Sequence, residues 1–102
     1  MKLLVLIIHA NLKQDVADFL RGIEKVNGFT FSAVEGHGVQ SEEDPFLSNQ
    51  DKVVGYTPRT RVDILLEDID VASTLASLRE NGIGLKNGTV YWISKVEETG
   101  RL

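Results

Sequence analysis

The six consecutive apolar residues Leu3–Ile8, LLVLII, restrict this chain more than any other stretch. They are far too few to cross a bilayer, which takes about 20 residues as a helix. They also make a short core for a secretory signal, and no small-x-small cleavage site follows them. A leucine and β-branched run of this length reads instead as a strand, Lys2–Ile8, covered on at least one face. The rest of the chain has to provide its neighbours and its cover.

It does so in a regular way. Leu12, Val16, Phe19, Leu20 and Ile23 recur at helical spacing within Asn11–Val26. Asn11 is placed to cap that helix, with Gln14 completing a capping box. Gly28 is placed to end it in a left-handed conformation. Phe29–Glu35 alternates with period two and reads as a second strand. Thr60–Glu67 reads as a third, with Val62, Ile64 and Leu66 opposite Arg61, Asp63 and Leu65. A second helix over Val71–Asn81 carries Val71, Leu75 and Leu78 on one stripe, after a cap at Asp68 or Asp70 and before a stop at Gly82. Thr89–Val96 reads as the fourth strand, with Val90, Trp92 and Ser94 opposite Tyr91, Ile93 and Lys95.

The order is β-α-β-β-α-β. Right-handed crossovers turn this into an α+β, ferredoxin-like sandwich. It has one four-stranded antiparallel sheet, both helices on one face, and a long loop between strands 2 and 3. A length of 102 residues fits a single domain, 1–102. Phe29, Phe31, Val90 and Trp92 are expected to lie in part on the uncovered face, which predicts an oligomer that buries it.

Composition narrows the function. A net charge of −4 speaks against a general nucleic-acid binder. With no cysteine, thiolate metal sites and disulfides are excluded, which fits a reducing, cytoplasmic setting. No Gly-x-Ser-x-Gly or Walker pattern appears. Ser41 and Ser48 near His37 read as polar loop residues, so the chain is not read as an enzyme.

The stretch Gly36–Arg59, GHGVQSEEDPFLSNQDKVVGYTPR, has no clear period. Irregular insertions of this length in a small domain are uncommon and are usually functional or disordered. Gly36-His37-Gly38 reads either as a backbone cradle for an anion or as a strand-ending bulge. His37 with Glu42, Glu43 and Asp44 offers nitrogen and oxygen donors to a divalent metal, or else a solvated acidic surface. Phe46, Leu47 and Tyr56 put apolar side chains on an otherwise polar segment. They serve as anchors for a partner or pack back on their own assembly.

FTFSAVEGHGVQ resembles the PII-like signal-transduction family, in the nitrogen regulatory protein P-II superfamily. In that family this strand ends in a glycine-x-glycine turn followed by a Gln. The distance from Gln40 to Pro58-Arg59 equals that of a PII T-loop, and RVDILLED and TVYWISKVEETGR align as well. The likeness covers nearly the whole chain, and GHGVQ with its full-length loop is its most specific part. It implies a homotrimer with effectors between subunits and a T-loop that docks on a transporter, enzyme or regulator. The effector-binding residues it implies are Gly36, His37, Gly38, Gln40, Arg59, Gly88, Thr89 and Arg101. The sequence also departs from the family. Val39 and Thr89 stand where the family has Arg and Lys, a basic C-terminal pair is reduced to Arg101, and Lys52 replaces a modified Tyr. The likeness implies a small effector: Gln40 and Arg59 stand where the family binds 2-oxoglutarate and nucleotide phosphate, and an adenine nucleotide is one candidate. The alternative is a metal-responsive trimer, related in fold to the divalent-cation tolerance proteins, with a divalent metal as effector.

Overall fold

The computed structural model describes residues 1–37, 57–80, 83–85 and 88–102. Strand β1 (Lys2–His9) runs through a 3₁₀ turn, Ala10–Leu12, into helix α1 (Lys13–Arg21). Strands β2 (Phe29–Gly36) and β3 (Thr57–Leu66) follow. A second 3₁₀ turn, Asp68–Asp70, leads into α2 (Val71–Glu80), and β4 (Val90–Lys95) closes the sheet. The sheet order is β2-β3-β1-β4 and every pairing is antiparallel. This is the ferredoxin-like sandwich that the element order predicts. The apolar run becomes an interior strand, flanked by β3 and β4.

Alternation along β1 and β3 divides the molecule. Leu4, Leu6 and Ile8 meet Val62, Ile64 and Leu66 on one face, where Leu12, Val16, Leu20 and Leu78 from the helical segments cover them. Phe19, Ile23, Val71 and Leu75 pack around that core. Burying ten such side chains is the main driving force for folding, at about 1.5–3 kcal/mol for each large aliphatic. Arg79 Nη2 donates to Tyr91 Oη at 3.1 Å and ties α2 to the covered side of β4.

Several local expectations change. Phe29 and Phe31 pair with Ile64 and Val62 and pack against the core, with ring centroids 5.4 Å apart. They belong wholly to the helix-covered face, because register with β3 fixes the phase of β2. Val90 and Trp92 do lie on the open face, opposite Ile7 and Val5.

Helix α1 is shorter than its periodicity suggests. The chain leaves β1 through a tight turn that buries Leu12 and places Asn11 before the helix, where it caps nothing. Gln14 Nε2 donates to Asp18 Oδ1 at 3.0 Å instead of closing a capping box. The helix stops at Gly22 with φ −82°, and turn-like bonds Ile23 N–H to Leu20 O and Val26 N–H to Ile23 O carry the stripe onward. Gly28 is not left-handed; among the described residues only Gly84 and Gly88 have positive φ.

Asp68 and Asp70 are not side-chain caps for α2 either. The Asp70 backbone oxygen accepts from Ser73 Oγ (3.1 Å) and Thr74 Oγ1 (2.8 Å), while its carboxylate meets Lys25 Nζ at 3.3 Å. The Asp68 carboxylate meets the Met1 ammonium at 2.7 Å. Gly82 lies outside the described residues. No helix among the described residues is long and apolar enough to cross a membrane.

Candidate functional site

The open face of the sheet carries Leu3, Val5, Ile7 and His9 from β1. Arg59, Arg61, Asp63 and Leu65 from β3 join them, as do Val34 and Gly36 from β2. In register His9 stands opposite Arg59, and Arg59 opposite Val34. One end of this face therefore gathers an imidazole and a guanidinium beside a glycine, at the point where residues 38–56 leave β2 and return to β3.

Two glycines allow the close fit. A Cβ at Gly36 would lie 2.9 Å from Arg59 Cγ and 3.3 Å from its Nε, so the arginine stem occupies the space a side chain would need. Gly88 has φ +86°, and a Cβ there would stand 3.6 Å from His9 Nε2 and 3.8 Å from Arg59 Nη2. The connector between α2 and β4 thus brings the Gly88 backbone against both side chains. A positive φ favours glycine, and the missing side chain leaves room for a ligand to approach.

His9 is 1% exposed although it ends a strand. It occupies the N-cap position of the 3₁₀ turn in an extended conformation, and its side chain caps nothing. Thr89, beside Gly88, has a buried Oγ1 that meets no hydrogen-bond partner among the described residues.

Arg59 brings to this end a side chain whose chemistry suits anions. A guanidinium is charged at any biological pH and presents a fork of donors matched to phosphate or carboxylate oxygens. Arg61 lies two residues along the same face. Its Nε and Nη2 donate to Asp63 at 3.0–3.2 Å, and it lies 5.7 Å over the Trp92 ring. The hydrogen bond to Asp63 pushes the Arg61 pKa further up. Glu35 is on the opposite face of β2, and its Oε2 lies 3.5 Å from the exposed His37 Nε2. At the far end of the molecule, the hydrogen bond from the Met1 ammonium holds the Asp68 carboxyl below its usual range, helped by the charges of Lys2 and Lys95.

Of the residues expected from sequence, Gly36, Arg59 and Gly88 are brought together, with Thr89 adjoining. His37 sits just outside the cluster. Arg101 is exposed in the segment after β4. Gly38, Gln40, Phe46, Leu47, Tyr56, Glu42, Glu43 and Asp44 lie outside the described residues. Among the described residues no group of three or more His, Asp or Glu side chains is arranged to hold a metal ion. His9 was not anticipated. The available signal was parity, since the last residue of an alternating strand shares a face with Leu3, Val5 and Ile7.

The crystal structure of a DUF3240 family protein from Shewanella baltica OS155 is similar, with TM-score 0.77 and 25% identity over 99% of this chain and 94% of that one. A second similar structure is that of CPII, a nitrogen regulatory PII-like protein from Thiomonas intermedia K12 bound to ADP, AMP and bicarbonate. Its TM-score is 0.68, with 18% identity over 99% of this chain and 93% of that one. The resemblance read from FTFSAVEGHGVQ thus holds at the level of the fold. No curated protein matches the sequence. The profile described as protein of unknown function (DUF3240) matches residues 1–102, and the chain belongs to that family.

Proposed function

We propose that this chain is a PII-like regulatory protein that works as a homotrimer in the cytoplasm and catalyses no reaction. A small anionic effector binds between subunits at Gly36, Arg59, Gly88 and Thr89. His37, Gly38 and Gln40 from the root of the loop and Arg101 complete the cleft. The segment that carries Phe46, Leu47 and Tyr56 acts as a T-loop and docks on a target protein. The observation that carries this reading is the convergence of Arg59, His9 and two side-chain-free glycines where that segment leaves and rejoins the sheet. The open face supplies an apolar surface for the other subunits, with Leu65, Val90 and Trp92 exposed in the single chain.

Regulation requires that the effector bind one state of the loop more tightly than another, since equal affinity shifts nothing. A tenfold preference is worth about 1.4 kcal/mol and is enough to redistribute two nearly equal states. The ligands bound to CPII make adenine nucleotides and bicarbonate the first probes. The test combines light scattering with a thermal-shift panel of ATP, ADP, AMP, bicarbonate, 2-oxoglutarate and divalent cations. The expected result is a trimer stabilised by an adenine nucleotide or bicarbonate, with the shift lost in Arg59→Ala. A monomer would overturn the assembly, and absence of any shift would overturn the effector cleft.

A further inference from the structure

Val5 belongs to the face of the sheet opposite the helices, and yet it is fully buried. In register it stands between Asp63 of β3 and Trp92 of β4. Arg61 donates to Asp63 through Nε and Nη2 at 3.0–3.2 Å, and its guanidinium lies 5.7 Å over the Trp92 ring. The arginine therefore reaches across β1 above Val5 and ties both neighbours into one polar bridge. Around it Leu3, Ile7, Leu65 and Val90 are apolar, and Thr30 and Ser32 on β2 are uncharged. Among the described residues, the centre of this face thus carries one cation and one anion, and each neutralises the other.

We infer that the Arg61–Asp63 pair, laid over Trp92, makes this face fit a second copy of the same chain, because it brings its charge into the contact already neutralised. The inference rests on the trimer proposed above and names the residues that select its subunits. Charge favours a copy as the occupant. The chain carries a net charge of −4, so contacts between copies generally set like charge against like. At the neutral centre of the open face they do not. A strongly basic or acidic partner would find no surplus of opposite charge there to pair with.

Symmetry sharpens the requirement. A closed ring repeats every residue around one axis, so an unpaired charge in the contact meets its own kind. Removing one member of a buried pair leaves an uncompensated charge, which is strongly unfavourable, whereas replacing both members by apolar groups of similar volume is often neutral. In the single chain both side chains keep contact with water, at 37% and 25% exposure, so the fold itself tolerates the loss of either. The apolar neighbours supply the attraction, and the pair supplies the selection.

The experiment is light scattering of the full chain over a dilution series, for the native protein, Asp63→Leu, Arg61→Met and the double variant. Far-ultraviolet circular dichroism checks the fold of each, and the fluorescence of Trp92, the single tryptophan, follows its removal from water. Asp63→Leu adds apolar surface to the face, so a weaker assembly reports the uncompensated guanidinium. The expected result is a native trimer, an assembly midpoint raised about a hundredfold or more in Asp63→Leu, and recovery in the double variant. Should Asp63→Leu not fold, Arg61→Met makes the same test from the other side, since it leaves the carboxylates unneutralised. Single variants that assemble like the native trimer overturn the role of the pair and leave the trimer standing. A double variant that stays dissociated also overturns it, because restored neutrality then does not suffice. A native chain that forms no trimer gives the face to another occupant and overturns the trimer and this inference together.

Discussion

At Gly36 and Gly88, glycine is required for different reasons, and the two substitutions to alanine should separate them. Gly36→Ala meets no backbone penalty, since φ there is not positive, but its methyl would stand 2.9 Å from Arg59 Cγ. The arginine must move, so the expected outcome is a loss of anion affinity of roughly tenfold or more with little loss of stability. Gly88→Ala has ordinary contacts at 3.6 and 3.8 Å but a φ of +86°. It should cost about 1–2 kcal/mol in urea unfolding. Equal effects of both variants on both measurements would contradict this division. Of the site, what could be read from sequence was what local chemistry announces: a glycine-x-glycine turn, an arginine returning from the loop, a glycine before the last strand. His9 was hidden because its place in the site depends on a connector distant in sequence, whose Gly88 stands against its Nε2. A histidine at a strand end looks the same whether it faces water or a guanidinium.

The elements were legible wherever period and burial agree. β1, β3 and α2 begin and end within a few residues of where alternation and apolar spacing place them. Caps are not legible in the same way, because local sequence offers Asn11 and the aspartates before α2 as caps while strand geometry fixes their positions. The chain leaves β1 and β3 through 3₁₀ turns, and the aspartates serve ion pairs with other segments. The phase of β2 was also ambiguous, since Phe29 and Phe31 are apolar whichever face they take, and only register with β3 decides. The Asp68 contact has a measurable consequence. A carboxyl whose folded pKa is depressed stabilises above its unfolded value of ~3.9 and loses that contribution as pH falls through the folded value. Asp68→Asn should therefore lower the thermal midpoint at pH 7, and the difference from the native protein should close as pH falls below ~3.9. A difference that persists at pH 2.5 would assign the effect to packing and not to the charge.

For the whole molecule, the open face is the surface that the proposed assembly would bury. Val5 is fully buried within the single chain, while Leu65, Val90 and Trp92 around it remain more than 40% exposed. Trp92→Glu places a carboxylate where the proposed trimer would remove it from water, at a cost that exceeds what an interface of modest size returns. The expected outcome is a folded monomer, with unchanged far-ultraviolet circular dichroism and a threefold lower mass by light scattering. A trimer that survives this substitution would place the interface elsewhere. The position of β1 has a further consequence, for synthesis on the ribosome. Both strands that flank the Leu3–Ile8 run are encoded far downstream, between Thr57 and Lys95. A sheet built from such distant pairs folds slowly, because closing the loop precedes any gain from pairing. At 5–20 residues per second, roughly fifty further residues take about 3–10 s to emerge. Throughout that interval the most apolar segment of the nascent chain lacks its neighbours, which makes it a natural station for a holding chaperone.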